Sequence, residues 1–160
     1  DLNGDGAPDL LVGASAESSV AAGAGAVYLL AAPRTDSIGS IALGKITGDQ
    51  AGDFLGDRAV DSGDFDGDGR PDLALAAPSR SGRAEGAGAA WVFYGPGGGT
   101  RSVATAEVQL WGMNARGAFG TDLAVIPDSN GDGTDELAIS AEEGDGLLAD
   151  AGVVWIWLGG

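Results

Sequence analysis

The sequence predicts an all-β fold, a partial β-propeller of about two and a half four-stranded antiparallel blades. A nine-residue acidic loop occurs three times, at Asp1–Asp9, Asp64–Asp72 and Asp128–Glu136, with starts 63 and 64 residues apart. The segments after each loop are short and alternate larger apolar residues with small ones, the period of a strand. No stretch sustains the 3.6-residue apolar stripe of a helix, and Gly-rich runs such as Gly95-Pro96-Gly97-Gly98-Gly99 supply turns.

The register of the repeat defines the elements. Leu10–Ala14, Leu73–Ala77 and Leu137–Ala141 follow the loops directly and carry bulk on one face only, so the other face admits a close neighbour. Ala26–Leu30, Ala89–Tyr94 and Val153–Leu158 are apolar on both faces and rich in aromatic and β-branched residues, which suits strands inside a stack of sheets. Ile41–Ile46 and Thr105–Trp111 are more mixed and read as outer strands. A fourth strand is expected over Gly56–Val60 and over Gly120–Val125. Gly25, Gly88 and Gly152 each fall 24 positions after the first residue of a loop. Four strands per unit of about 64 residues, repeated, are the pattern of propeller blades, whereas a β-helix would need a far shorter period.

The chain reads as one repeat domain over 1–160, with approximate units 1–40 (partial blade), 41–100 (full blade) and 101–160 (partial blade). Closed propellers take about 4–8 blades, so the expected context is a larger propeller that supplies the remaining blades, or self-association of copies.

Composition restricts the chemistry. The chain has 160 residues, 30 of them Gly, with 24 Asp+Glu against 8 Lys+Arg and a formal charge of −16. Absence of His and Cys excludes Cys/His zinc sites, thiol catalysis and a Ser-His-Asp triad. Few cations on an acidic chain exclude nucleic acid as a partner, and no segment is apolar enough for membrane insertion through a helix. Absence of Cys leaves the redox compartment open.

Calcium is the partner that the loops suggest. Ca²⁺ takes about 6–8 oxygen ligands at about 2.3–2.6 Å, and a nine-residue loop wraps such an ion when alternate residues point inward. The candidate ligands are the side chains at positions one, three, five and nine with the backbone carbonyl at seven. They are Asp1, Asn3, Asp5, Ala7 and Asp9; Asp64, Asp66, Asp68, Arg70 and Asp72; Asp128, Asn130, Asp132, Thr134 and Glu136. Glycines at positions four and six permit the backbone of a tight turn. Carboxylate counts of three, four and three predict tightest binding in the middle loop. An EF-hand would require Glu at position twelve, where this chain has Val12, Leu75 and Ile139. Up to three Ca²⁺ sites are expected, and their role is stability. Loops of this kind with affinities on the order of 10⁻⁴–10⁻³ M suit extracellular calcium and a secreted or cell-surface location.

Phe119-Gly120, Gly13-Ala14-Ser15, Ala76-Ala77-Pro78 and the three loops between them resemble the FG-GAP repeats of integrin α-subunit propellers and their bacterial relatives. Leu55 replaces the Phe of one FG element, and Ser140-Ala141-Glu142 lacks both the Gly and the Pro of GAP. The resemblance implies a non-enzymatic calcium-binding module for cell adhesion that presents loops to a protein or glycan ligand. Calcium-loop propellers also resemble the scaffolds of some polysaccharide lyases and sugar-binding proteins, which gives the alternative reading of a carbohydrate-active propeller.

Other candidates have bland explanations. Tyr28, Trp91 and Trp155 are equivalent repeat positions and are expected in inter-blade core rather than on a sugar platform. Glu142, Glu143, Asp145 and Asp150 could pair for glycoside hydrolysis, but adjacent carboxylates on a loop are expected to be solvated. Lys45 and Arg58 are too isolated to form an anion site.

Overall fold

A computed structural model describes residues 1–31, 42–58, 60–95, 98–144 and 151–160. The strands are β1 (Leu10–Ala14), β2 (Ala26–Leu30), β3 (Ala42–Thr47), β4 (Val60–Gly63), β5 (Asp72–Ala77), β6 (Ala89–Phe93), β7 (Gly99–Ser102), β8 (Val108–Trp111), β9 (Phe119–Ile126), β10 (Glu136–Ala141) and β11 (Val153–Trp157). They form three sheets in the orders β1-β2-β3-β7, β4-β5-β6-β8 and β9-β10-β11. Among the described residues the only helical element is one 3₁₀ turn, Val103–Thr105, so the all-β expectation holds.

The two-faced pattern of β5 and β6 explains how the sheets stack. Leu73, Leu75, Ala89, Trp91 and Phe93 are buried with Val27, Leu29 and Ile46 of the first sheet. Their alternate neighbours Ala74, Ala76, Ala90 and Val92 are buried with Phe119, Leu123, Leu137 and Ile139 of the third. The second sheet is therefore sandwiched between the others, its small-residue face against the third. This is the stacking of successive propeller blades, and the chain is a partial β-propeller.

The FG element is the hinge pin between consecutive sheets. Gly88 pairs with Phe119, and Gly25 with Leu55, as isolated parallel bridges. Phe119 N–H donates to Ala87 O at 3.0 Å, and Leu55 N–H to Ala24 O at 3.1 Å. Gly88 has φ +83°, and a Cβ there would sit 2.1 Å from Phe119 O. Only glycine allows that approach.

Three expectations need correction. The outer edge of the first sheet is not purely antiparallel: β7 pairs with β3 in parallel, from Gly44↔Gly99 to Thr47↔Ser102. The strand expected over Gly56–Val60 starts at Val60 and ends at Gly63, because Leu55 is pinned to Gly25 and Gly56, at φ +83°, leaves the extended region. The strand expected from Thr105 starts at Val108; Ser102 Oγ caps the 3₁₀ turn ahead of it by accepting from Ala104 N–H at 3.2 Å. Ile41, expected to open β3, lies outside the described residues. The sheets are also offset from the sequence units, since residues 42–47 and 99–102 complete the first sheet and 108–111 the second.

Candidate metal centres

Each loop folds on its own aspartates. In the middle loop, Asp64 Oδ1 accepts from Gly67 N–H at 2.9 Å and Oδ2 from Gly69 N–H at 2.9 Å. Asp66 Oδ1 accepts from Asp68 N–H at 3.0 Å, and Asp68 Oδ1 from Arg70 N–H at 2.8 Å. The first loop repeats this set: Asp1 accepts from Gly4 and Gly6, and Asp5 from Ala7. The third repeats three of the four bonds: Asp128 accepts from Gly131, Asn130 from Asp132, and Asp132 from Thr134. The glycines at positions four and six all have positive φ, from +75° to +94°, as their placement predicts.

The ninth residue closes the ring. Asp72 Oδ2 accepts from Phe65 N–H at 2.8 Å and Asp66 N–H at 3.2 Å, and Oδ1 accepts from Gly95 N–H at 2.6 Å. Asp9 Oδ2 accepts from Leu2 and Asn3 in the same way. Glu136 uses its extra methylene differently: Oε2 accepts from Ser129 N–H at 2.8 Å and from Ser129 Oγ. Its other oxygen, Oε1, is buried without a hydrogen-bond partner.

Carboxylate oxygens converge in two of the three loops. Asp64, Asp66 and Asp72 offer oxygens within 4.8 Å of one another, and so do Asp128, Asp132 and Glu136. Asp68 lies outside its cluster, and the first loop's Asp1, Asp5 and Asp9 form none among the described residues. The ninth residues Asp72 and Glu136 are both fully buried. Burial pushes the Asp72 carboxyl above the ordinary range, against the pull of the Gly95 and Phe65 N–H groups. Asp132 is exposed, and the Thr134 hydroxyl and N–H hold its pKa below that range.

These donors fit a hard dication. The set is oxygen only, anionic, and built on a turn braced by its own side chains. Glu136 Oε1 is the sharpest fit. A buried carboxylate oxygen without a donor is costly, and a cation held by the Glu136 carboxylate with Asp128 and Asp132 would offset that cost.

Two groups matter here that sequence reasoning missed. Asp135 spans two loops: Oδ2 accepts from Asp64 N–H at 2.9 Å and Oδ1 from Asp128 N–H at 3.2 Å. The available signal was a departure from the repeat, because the other loops have Pro8 and Pro71 at this position. Arg80, 4% exposed, lies 5.5 Å from the ring centroids of both Trp91 and Trp111 and pairs with Asp49 and Asp53. Its position is occupied by Glu17 and Gly144 in the flanking units, so no repeat pattern exposed it.

Trp91 is core, 1% exposed, but Trp155 is 50% exposed. Gly144 replaces Arg80 beside Trp155, and among the described residues no strand pairs with the far edge of β11. Lys45 pairs with Glu17 at 3.4 Å and lies 5.4 Å from the Tyr28 ring centroid. Glu142 and Glu143 are exposed, and Asp145 and Asp150 lie outside the described residues.

Stacked sheets joined through the Gly25–Leu55 and Gly88–Phe119 bridges, with an acidic loop leading into β1, β5 and β10, define a repeat-built propeller segment with candidate cation loops. Residues 1–30 and 57–93 match the FG-GAP repeat family, and the chain is an FG-GAP segment similar to those of integrin α chains. It is 33% identical over 162 residues to Integrin alpha-4 of Xenopus laevis, covering 96% of this chain and 14% of that protein. It is 37% identical over 150 residues to Integrin alpha-IIb of Homo sapiens, covering 88% and 14%. Integrin alpha-5 of Xenopus laevis is 30% identical over 122 residues, covering 73% and 11%. The chain thus spans 14% or less of the length of these relatives. Among the described residues, no helix is long and apolar enough to cross a membrane.

Proposed function

We propose that this segment is a non-enzymatic calcium-binding module of an extracellular adhesion or ligand-binding propeller. The observation that carries the calcium reading is the convergence of the Asp128, Asp132 and Glu136 carboxylates, with one oxygen of the buried Glu136 left without a hydrogen-bond donor. Bound calcium would neutralise carboxylates that otherwise repel one another. Asp64, Asp66 and Asp72 would hold one ion and Asp128, Asp132 and Glu136 another, with Asp68, Asn130 and the carbonyls of Arg70 and Thr134 completing the shells. Asp1, Asn3, Asp5, Asp9 and the Ala7 carbonyl form a third, weaker candidate. The adhesion reading rests on the similarity to integrin α chains, with a protein or glycan as ligand.

Calorimetric titration with Ca²⁺ and terbium luminescence test the metal sites. Tyr94 is a suitable sensitiser, because its neighbour Gly95 donates to Asp72 Oδ1 at 2.6 Å and so ties this stretch of chain to the middle loop. Binding at two or three sites is expected, with the third weakened on the order of tenfold or more in Glu136→Gln, since ligand charge sets affinity in such loops. Absence of both calcium heat and terbium emission would sink the metal reading. Polysaccharide turnover abolished by a single carboxylate substitution would replace the adhesion reading with a carbohydrate-active one.

A further inference from the structure

We propose that Asp135 couples the second and third calcium loops, so that filling either raises the affinity of the other, while the first loop binds independently. The inference rests on the calcium reading above and adds to it a thermodynamic link between two sites.

Asp135 holds the first ligand of both loops. Its Oδ2 accepts from Asp64 N–H at 2.9 Å, and its own N–H donates to Asp64 O at 2.7 Å, so both peptide groups of Asp64 are fixed by one residue. The opposite oxygen, Oδ1, accepts from Asp128 N–H at 3.2 Å. A second tie lies alongside, from Gly160 N–H to Phe65 O at 2.8 Å. An ion that draws Asp64 into a fixed position therefore fixes the Asp135 carboxylate, and through it the backbone of Asp128. The residue after Asp135 is Glu136, the buried ligand with the orphaned oxygen, so ordering at Asp135 also reaches the last ligand of the third loop.

The first two loops lack this device. Pro71 stands where Asp135 does in the next repeat, and a proline has neither the carboxylate nor the N–H that the bridge uses. The space between these loops is instead a cleft of about 490 Å³ lined by Asp1 to Gly4 and by Gly69, Arg70 and Pro71. Repulsion between two bound dications opposes coupling, but it acts across exposed loops where salt screens it, whereas the Asp135 bonds act at contact. The net coupling is therefore favourable.

The test is a reciprocity measurement in the whole chain. Calcium affinities of the third loop are compared with the second loop intact and disabled by Asp66→Ala, and those of the second loop with the third intact and disabled by Asp132→Ala. Each loop is expected to bind about fivefold more weakly when the other is disabled, by the same factor in both directions. Disabling the first loop with Asp5→Ala is expected to change neither. Asp135→Asn, which leaves one acceptor where the bridge needs two, is expected to abolish the factor while each isolated loop still binds. The reciprocity arm leaves Asp135 untouched and stands even if that variant fails to fold. Equal affinities with and without the neighbouring ion would overturn the coupling and leave calcium binding intact. The same would follow from a factor shared equally by the first loop, which would report general folding rather than Asp135. No calcium binding to the unmodified chain would instead remove the reading on which the coupling rests.

Discussion

Arg80 carries a permanent charge into an interface that is otherwise apolar. Its guanidinium lies over the rings of Trp91 and Trp111 on β6 and β8 and pairs with Asp49 and Asp53, which the first sheet sends across on the loop after β3. Asp53 is 2% exposed, and desolvation raises its pKa above the usual carboxylate range despite the Arg80 contact. Removing the cation would leave that carboxylate buried and unpaired, a change that costs about 3–5 kcal/mol. Arg80→Met, which keeps much of the volume, is therefore expected to lose stability of that order in urea unfolding at pH 7. The pH dependence has a definite sign. Asp53 binds its proton more tightly folded than unfolded, and more tightly still without Arg80, so the penalty is full above the folded pKa and shrinks as pH falls through it. A loss below about 1 kcal/mol, or one that does not shrink as the pH is lowered from 7 through the acid range, would show that the Arg80–Asp53 pair does not hold these sheets together. Nothing in the sequence marked this residue, because the information lies in which loops the stacking brings together.

At the scale of the strand, the sequence was legible wherever a repeat forced it. Period-two alternation located β1, β5 and β10, and the small-residue face of β5 predicted the close approach of the third sheet. Gly88 and Gly25 were visible as register landmarks, and the structure supplies their purpose as docking points for Phe119 and Leu55. Their worth can be measured against a glycine with no such role. Gly95 also has positive φ, at +69°, but a Cβ there meets nothing within 4 Å, whereas at Gly88 it meets Phe119 O at 2.1 Å. Gly95→Ala is expected to cost about 1 kcal/mol from backbone strain alone. Gly88→Ala adds a clash with backbone that must be relieved by parting the second and third sheets, so a loss of several times that value is expected, with increased amide exchange in β9. Equal losses would mean that the Gly88–Phe119 bridge is incidental. The parallel β3–β7 pair was not legible, because it joins residues about 55 apart that share no repeat position.

Over the whole molecule, the repeat pattern located every loop but not the differences among them. The two loops whose carboxylates converge are those whose ninth residue, Asp72 or Glu136, is fully buried, and the bridge at Asp135 depends on one departure from proline. The exposed face of the third sheet was equally illegible. Val154 and Ile156 are 64% and 51% exposed, yet their equivalents Ala90 and Val92 in the second sheet are fully buried. Local pattern is the same in both places, and only the presence of a neighbouring sheet decides the outcome.

Net charge acts on the molecule as a unit, and calcium is expected to be its largest single control on stability. At −16 the chain repels itself, with the repulsion concentrated in the loops where the fold gathers carboxylates most closely. Occupancy of the two convergent sites at tenfold above their dissociation constants would add about 1.4 kcal/mol each. For a domain of this size that combined gain raises Tm by roughly 6–12 °C. Adding EDTA in scanning calorimetry is thus expected to lower Tm by that amount. In the chelated protein, raising NaCl to about 1 M shortens the screening length to about 3 Å and is expected to restore part of the loss, because the remaining deficit is repulsion between exposed carboxylates. The same salt should give little gain with calcium present. Mg²⁺ should restore less than Ca²⁺ at equal concentration, since it gives up its waters reluctantly and demands a stricter geometry than these loops provide. A Tm indifferent to chelator would separate the acidic loops from stability altogether, and a chelated protein destabilised further by salt would show that repulsion is not what calcium relieves.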